Sequence, residues 1–80
     1  MTMVKEGVER IIRSLSSDQN AVEIEEIGDG KNVRFEVRAS PGDMGRIIGR
    51  EGRTIKAVRS ILFVAGHKHG KRFHLDLIDD

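Results

Sequence analysis

The residues of this 80-residue chain whose types and spacing could do chemistry gather at Gly49-Arg50-Glu51-Gly52, with Arg46 one turn before them and Arg53 and Lys56 just after. Two glycines bracketing two charged residues, with helical apolar spacing running in from Met44 and out through Val58, Leu62 and Ala65, predict a tight turn between two helices. Gly49 is expected to close the first helix in a left-handed conformation, and Gly52 to leave the backbone bare where the second begins. A helix start exposes unpaired amide donors and partial positive charge, so an uncovered one can receive a phosphate. An isolated Gly-x-x-Gly more often marks nothing beyond a helix-helix turn, but here arginines surround it. The turn reads as a grip for a nucleic-acid backbone.

The charge distribution supports that reading. Net charge is only +1, yet residues 1 to 32 hold four basic and seven acidic side chains, whereas residues 46 to 59 hold five basic ones (Arg46, Arg50, Arg53, Lys56, Arg59) against Glu51 alone. A basic cluster at such a turn is the electrostatic footprint of nucleic-acid binding, although a solvated helix face contributes to such clusters too.

Other reactive side chains do not converge. His67 and His69 suggest a metal pair, but they fall in a predicted loop with His74 on a strand and no carboxylate partner, so a solvated basic loop is the better reading and no metal is expected. Asp76, Asp79 and Asp80 read as a fraying acidic tail. There is no cysteine, no nucleophile-base constellation and no Walker or Rossmann glycine pattern, so neither enzymatic activity nor a cofactor is expected. Lys5, Glu6, Glu9 and Arg10 interrupt the start too often for a signal peptide, and the longest apolar run, residues 61 to 65, is far short of the roughly 20 residues that span a bilayer. A soluble, cytoplasmic chain with no membrane partner is expected.

The elements that must position the turn follow from periodicity. Val4, Val8, Ile11, Ile12 and Leu15 form one apolar stripe of a first helix, ended by residues 16 to 20. Residues 21 to 27 predict a strand with a bulge near Glu25-Glu26, where Ile27 falls out of phase. A turn at residues 28 to 30 leads into the clearest strand, 33 to 39, giving a hairpin. Ser40 as cap, Pro41 at the first helical position and Asp43 reaching back to the cap's amide predict a short helix to Ile48, in which Gly45 implies a close neighbour. The helix after the turn is expected from Arg53 to about Ala65, then a loop over residues 66 to 72, then a strand alternating at Phe73, Leu75 and Leu77. Strands 33 to 39 and 72 to 78, joined by a helical crossover, should run parallel if they are neighbours.

Ile47-Ile48-Gly49-Arg50-Glu51-Gly52-Arg53-Thr54-Ile55 resembles the K-homology (KH) signature: an apolar pair, Gly-x-x-Gly, and an apolar residue three further on. The element order resembles the bacterial type II version, and with Asp43-Met44-Gly45-Arg46 leading in, the chain is similar over its whole length to small bacterial single-KH proteins of the KhpA type. The resemblance implies an α+β fold of order α-β-β-α-α-β, with a three-stranded mixed sheet packed against three helices, and one KH domain over residues 1 to 80. It implies a clamp of Gly49, Arg50, Glu51 and Gly52 on the backbone of about four single-stranded RNA nucleotides. Ile47, Ile48 and Ile55 would form the groove wall near it, Arg46, Arg53 and Lys56 would flank it, and Lys68, Lys71 and Arg72 would lie on the same strand of RNA. It further implies RNA-chaperone or post-transcriptional regulatory activity bearing on cell shape and cell-wall organisation, and assembly as a homodimer or with a larger Jag-type RNA-binding protein. Glu51 departs from the many clamps that are basic at this position, and no aromatic residue is expected in the groove, so weak and poorly selective binding is expected.

At about 100° per residue, the apolar residues of the second clamp helix span an arc of about 160°, wider than a packed face needs, and Phe63 falls amid its polar side. Phe63, Ile61 and Val64 are therefore candidate contacts for a second copy or a related KH partner. Two rival readings remain. A helix-hairpin-helix DNA binder also sets glycines at a phosphate, but with a spacing of one, an apolar residue between them and no need of a sheet. A protein-interaction domain that has kept the fold without the binding would explain Glu51.

Overall fold

The computed structural model describes residues 2 to 28 and 30 to 78, with side chains described from residue 4 onward. The apolar stripe of the first segment folds as α1 (Thr2–Leu15), burying Val8 and Ile12, and a single 3-10 turn (Gln19–Ala21) leads to β1 (Glu23–Ile27). β2 (Asn32–Arg38) pairs antiparallel with β1, α2 (Pro41–Ile48) and α3 (Arg53–His69) make the crossover, and β3 (Arg72–Leu77) returns parallel to β2. The sheet order is β1-β2-β3, which leaves β3 at an edge. This is an α+β fold with three helices and a three-stranded mixed sheet, in the order expected of a type II KH domain.

Alternation places Ile24, Val33, Phe35, Val37, Phe73 and Leu75 on one face of the sheet, where they meet Ile47 from α2 and Ile55, Val58 and Leu62 from α3. Phe35 lies fully buried at the centre, its ring centroid 5.7 Å from that of Phe73. The opposite face carries charged residues, including an Arg34–Asp76 ion pair that links β2 to β3.

Several local expectations are corrected. The β1–β2 register runs without interruption from Glu23↔Arg38 to Ile27↔Arg34, so there is no bulge; Ile27 keeps the alternation and falls on the outer face. The turn expected at 28 to 30 includes Asp29, which lies outside the described residues, as do Asp79 and Asp80 of the expected acidic tail, whereas Asp76 is part of β3. α3 continues through His69 rather than stopping near Ala65, so residues 66 to 69 are helix and not loop. Gly66 does not break the helix because it sits on the buried face, where a Cβ would collide with the Lys71 carbonyl and meet the Phe73 ring at 3.7 Å. Gly45, by contrast, has open space around it and no close neighbour.

Candidate nucleic-acid interface

α2 begins at Pro41 after Ser40, as its sequence predicts, but Asp43 does not cap it. The Asp43 carboxylate is buried and accepts hydrogen bonds from the backbone amides of Ser17 (2.9 Å) and Asp18 (3.0 Å) and from the Ser40 hydroxyl (2.9 Å). The amides of Asp18 and Ser17 stabilise the ionised form and lower its pKa from 3.8 to about 2. One turn on, Arg46 donates from Nη1 to the Ser17 hydroxyl at 2.7 Å. Asp43 and Arg46 thus tie α2 to the end of α1, and so fix the direction in which α2 delivers the chain to the turn.

The turn itself occupies residues 49 to 52. Gly49 has φ 78 and ψ 171, positive but outside the left-handed helical well expected for it, and a Cβ there would lie 2.7 Å from Thr54 Cβ and 2.9 Å from Thr54 N. Glycine is required by both torsion and contact. Glu51 (φ 57, ψ 25) and Gly52 (φ 73, ψ 15) are both left-handed, so three of the four turn residues have positive φ. The Gly49 carbonyl accepts from Gly52 N at 3.1 Å, closing the reversal. No side chain caps the start of α3, and the nearest atom to a Cβ on Gly52 would be Lys56 Cε at 3.7 Å. The Arg53 amide, the first of α3, donates to the Arg50 carbonyl within the turn, and the Lys56 side chain lies beside the bare Gly52.

Arg50, Arg53 and Lys56 are exposed around this point. Glu51 leans along the turn, with Oε1 3.4 Å from Arg53 Nη2, and both side chains are largely solvated, so the pair offsets part of the Arg53 charge at little energetic consequence. Of the expected groove wall, Ile48 is 39 % exposed, whereas Ile47 and Ile55 point into the core and are out of a ligand's reach. A packed helix pair needs those apolar positions for its own interface.

An open cleft of about 1080 Å³ lies between the second half of α3 and the edge strand β3. It is lined by Lys71 and Arg72 together with Arg59, Phe63 and His67, but not by the turn residues or Lys68. Lys68 is helical and about 140° round the axis from Phe63. Arg59 donates to the Leu75 carbonyl at 3.0 and 3.3 Å, satisfying part of the sheet edge while keeping its charge. The spacing of Arg59, Phe63 and His67, four apart, marks one helix flank in the sequence; that β3 faces it is not legible there. Phe63 is thus an aromatic residue in a cleft where none was expected. Among the described residues no group of three or more His, Cys, Asp or Glu could hold a metal ion.

Ile61, Phe63 and Val64 are 58, 66 and 66 % exposed, but they do not form one patch. Ile61 and Val64 are about 60° apart around α3, whereas Phe63 is about 160° from Ile61. No helix of the described residues is long and apolar enough to cross a membrane.

A family model described as KhpA/KhpB, KH domain, matches residues 5–77. The chain is 40% identical over 76 residues to "RNA-binding protein KhpA" of Halalkalibacterium halodurans, covering 95% of this chain and 100% of the relative. It is 35% identical over 79 residues to "RNA-binding protein KhpA" of Aquifex aeolicus, covering 99% of this chain and 100% of that protein. The protein of the same name from Clostridium acetobutylicum is 32% identical over 75 residues, covering 94% of this chain and all of the relative. No solved structure matches significantly.

Proposed function

Because the chain belongs to the KhpA/KhpB KH-domain family, we propose that it binds single-stranded RNA, gripping the sugar-phosphate backbone at residues 49 to 52. The observation that supports this reading is the start of α3, where a bare Gly52 stands among the exposed Arg50, Arg53 and Lys56 cations. Gly49, Arg50, Glu51 and Gly52 form the proposed clamp, with Ile48 the apolar residue offered beside it. Relatives named as RNA-binding proteins over their full length support RNA as the ligand, and a helix-hairpin-helix DNA module would have no need of the sheet.

Anisotropy of a labelled ten-nucleotide RNA, titrated across salt concentrations, tests the reading. Three or four engaged phosphates give a slope of log affinity against log salt of roughly −2 to −3, and a flat dependence refutes it. Arg50→Asp puts a second negative charge in the exposed turn without touching the core, so binding should be lost with little change in melting temperature. Tighter binding to duplex DNA than to single-stranded RNA would point to the DNA-binding alternative.

The finer role implied by the resemblance is that of an RNA chaperone or regulator acting with a second copy or with a larger KH protein. The exposed Ile61–Val64 face supports it, being surplus to the core and on the opposite flank of α3 from the cleft.

A further inference from the structure

β1 and β3 are the two edges of the sheet, and they are finished differently. At β3 the Arg59 guanidinium donates to the Leu75 carbonyl at 3.0 and 3.3 Å, so part of that edge is already engaged. At β1 every second residue turns its N–H and C=O away from β2. Among the described residues no hydrogen bond outside the β1–β2 ladder reaches Glu23–Ile27. The strand is five residues long, carries no bulge and holds neither proline nor lysine, the usual devices that keep a free edge from pairing. It carries glutamate instead. Glu23 and Glu25 stand on the outer face of the sheet, and the register sets Glu25 opposite Glu36 and Glu36 opposite Asp76, a row of carboxylates across the three strands. Like charges directly opposite one another cost stability. Arg34 offsets Glu36 at 3.4 Å and Asp76 at 3.7 Å, whereas Glu25 and Glu26 have no side-chain partner among the described residues. The row therefore ends, uncompensated, at a strand edge whose backbone groups are free to pair, and a local arrangement that works against the fold is expected where function requires it.

We propose that β1 is a docking edge for an extended basic segment of a partner protein, which adds a fourth strand to the sheet and sets Lys or Arg side chains beside Glu23 and Glu25. Charge decides the occupant. The edge repels RNA, and it repels a second copy as well: two β1 strands paired antiparallel about Glu25 set that residue against its own image, with Glu23 and Glu26 of both strands close by. A neutral segment gains only the backbone hydrogen bonds of strand addition, whereas a basic one also supplies the missing countercharge. β1 lies two strand positions from β3, about 10 Å, so a segment docked there leaves the α3–β3 cleft open. The proposal does not depend on the RNA-binding reading.

A synthetic heptapeptide of alternating lysine and valine, titrated into isotopically labelled protein and followed by NMR, is the test. It should shift the backbone amide resonances of residues 23 to 27 and slow hydrogen exchange at the β1 amides that face away from β2. The same peptide with proline at its centre should bind about tenfold more weakly, because strand addition needs its backbone donors. Glu25→Lys, which faces Glu36 and so keeps the fold, should also weaken the lysine peptide about tenfold. Equal binding of a peptide with glutamate in place of lysine overturns the choice of occupant. Shifts that spread to Glu6 and Glu9 of α1 without slowed exchange in β1 mean diffuse attraction of charge and overturn the docking edge, as does the absence of any shift. Slowed exchange in β1 that rises with protein concentration in the absence of peptide assigns the edge to a second copy and overturns the proposal as well.

Discussion

Glu51 is the only non-glycine among the described residues with positive φ, and its position in the turn makes a quantitative test possible. Holding a residue with a Cβ in the left-handed well costs about 1–2 kcal/mol. Replacing it by glycine removes that strain but returns about 0.5–1 kcal/mol through the greater freedom of the unfolded chain. The solvated contact to Arg53 at 3.4 Å is worth a few tenths of a kcal/mol at most, on the order of other exposed pairs. Glu51→Gly should therefore be more stable by about 0.5 kcal/mol. Glu51→Gln is the control, because it removes the charge and keeps the Cβ. The difference between the two variants isolates the backbone, and for a domain of this size it should appear as a melting temperature about 2 to 5 °C higher for Gly than for Gln. Glu51→Asn, which tolerates this conformation better than most residues, should fall between them. The same pair of variants separates charge from shape in RNA binding. A carboxylate about 7 Å from a bound phosphate opposes it by about 0.6 kcal/mol in water before salt screening, so both variants should bind RNA about twofold more tightly, and equally. Thermal unfolding followed by circular dichroism and anisotropy at fixed salt supply the two readouts. A Gly variant that melts at or below the Gln variant refutes the strain argument, and unequal RNA affinities show that the turn's shape, not its charge, was limiting.

Gly66→Ala and Gly45→Ala should change stability in opposite directions although both lie in helices. The first forces a methyl group against the Lys71 carbonyl and should cost about 1–3 kcal/mol, a fall of several degrees in melting temperature, while the second enters open space and should gain up to about 1 kcal/mol. Asp43, with a folded pKa near 2 against an ordinary 3.8, contributes stability that is present above pH 4 and lost as pH falls toward 2. Asp43→Asn should be less stable at neutral pH and should lose less on acidification over that window, as read by melting temperature against pH. If the Ile61–Val64 face is an interface, the parent sediments as a dimer and Ile61→Ser shifts it toward monomer; a monomeric parent removes the homodimer.

What the sequence determined by itself is what depends on near neighbours along the chain. The alternation at 33, 35 and 37 and at 73, 75 and 77, the helical stripe of α1 and the Gly-x-x-Gly turn each express a backbone period or a torsion requirement, and each appears in the structure where its residues place it. The parallel pairing of β2 with β3 followed as well, because a helical crossover between adjacent strands permits little else. Local rules failed where a residue has two possible partners. Asp43 looks like a capping residue for Ser40, yet its carboxylate goes to amides 25 and 26 residues earlier, because those donors at the end of α1 are brought beside α2 by packing. Gly66 reads as a helix stop until the β3 approach shows that the helix needs its missing side chain there, and Gly45 reads as a close contact that is not made. The withdrawal of Ile47 and Ile55 into the core, and the cleft that gives Phe63 its basic surroundings, depend on which flank of α3 meets β3. Helical spacing fixes the angles of those side chains about their own axis, but which angle meets the sheet and which meets water is set by how the helix is docked, and that is decided by contacts between segments far apart in the chain.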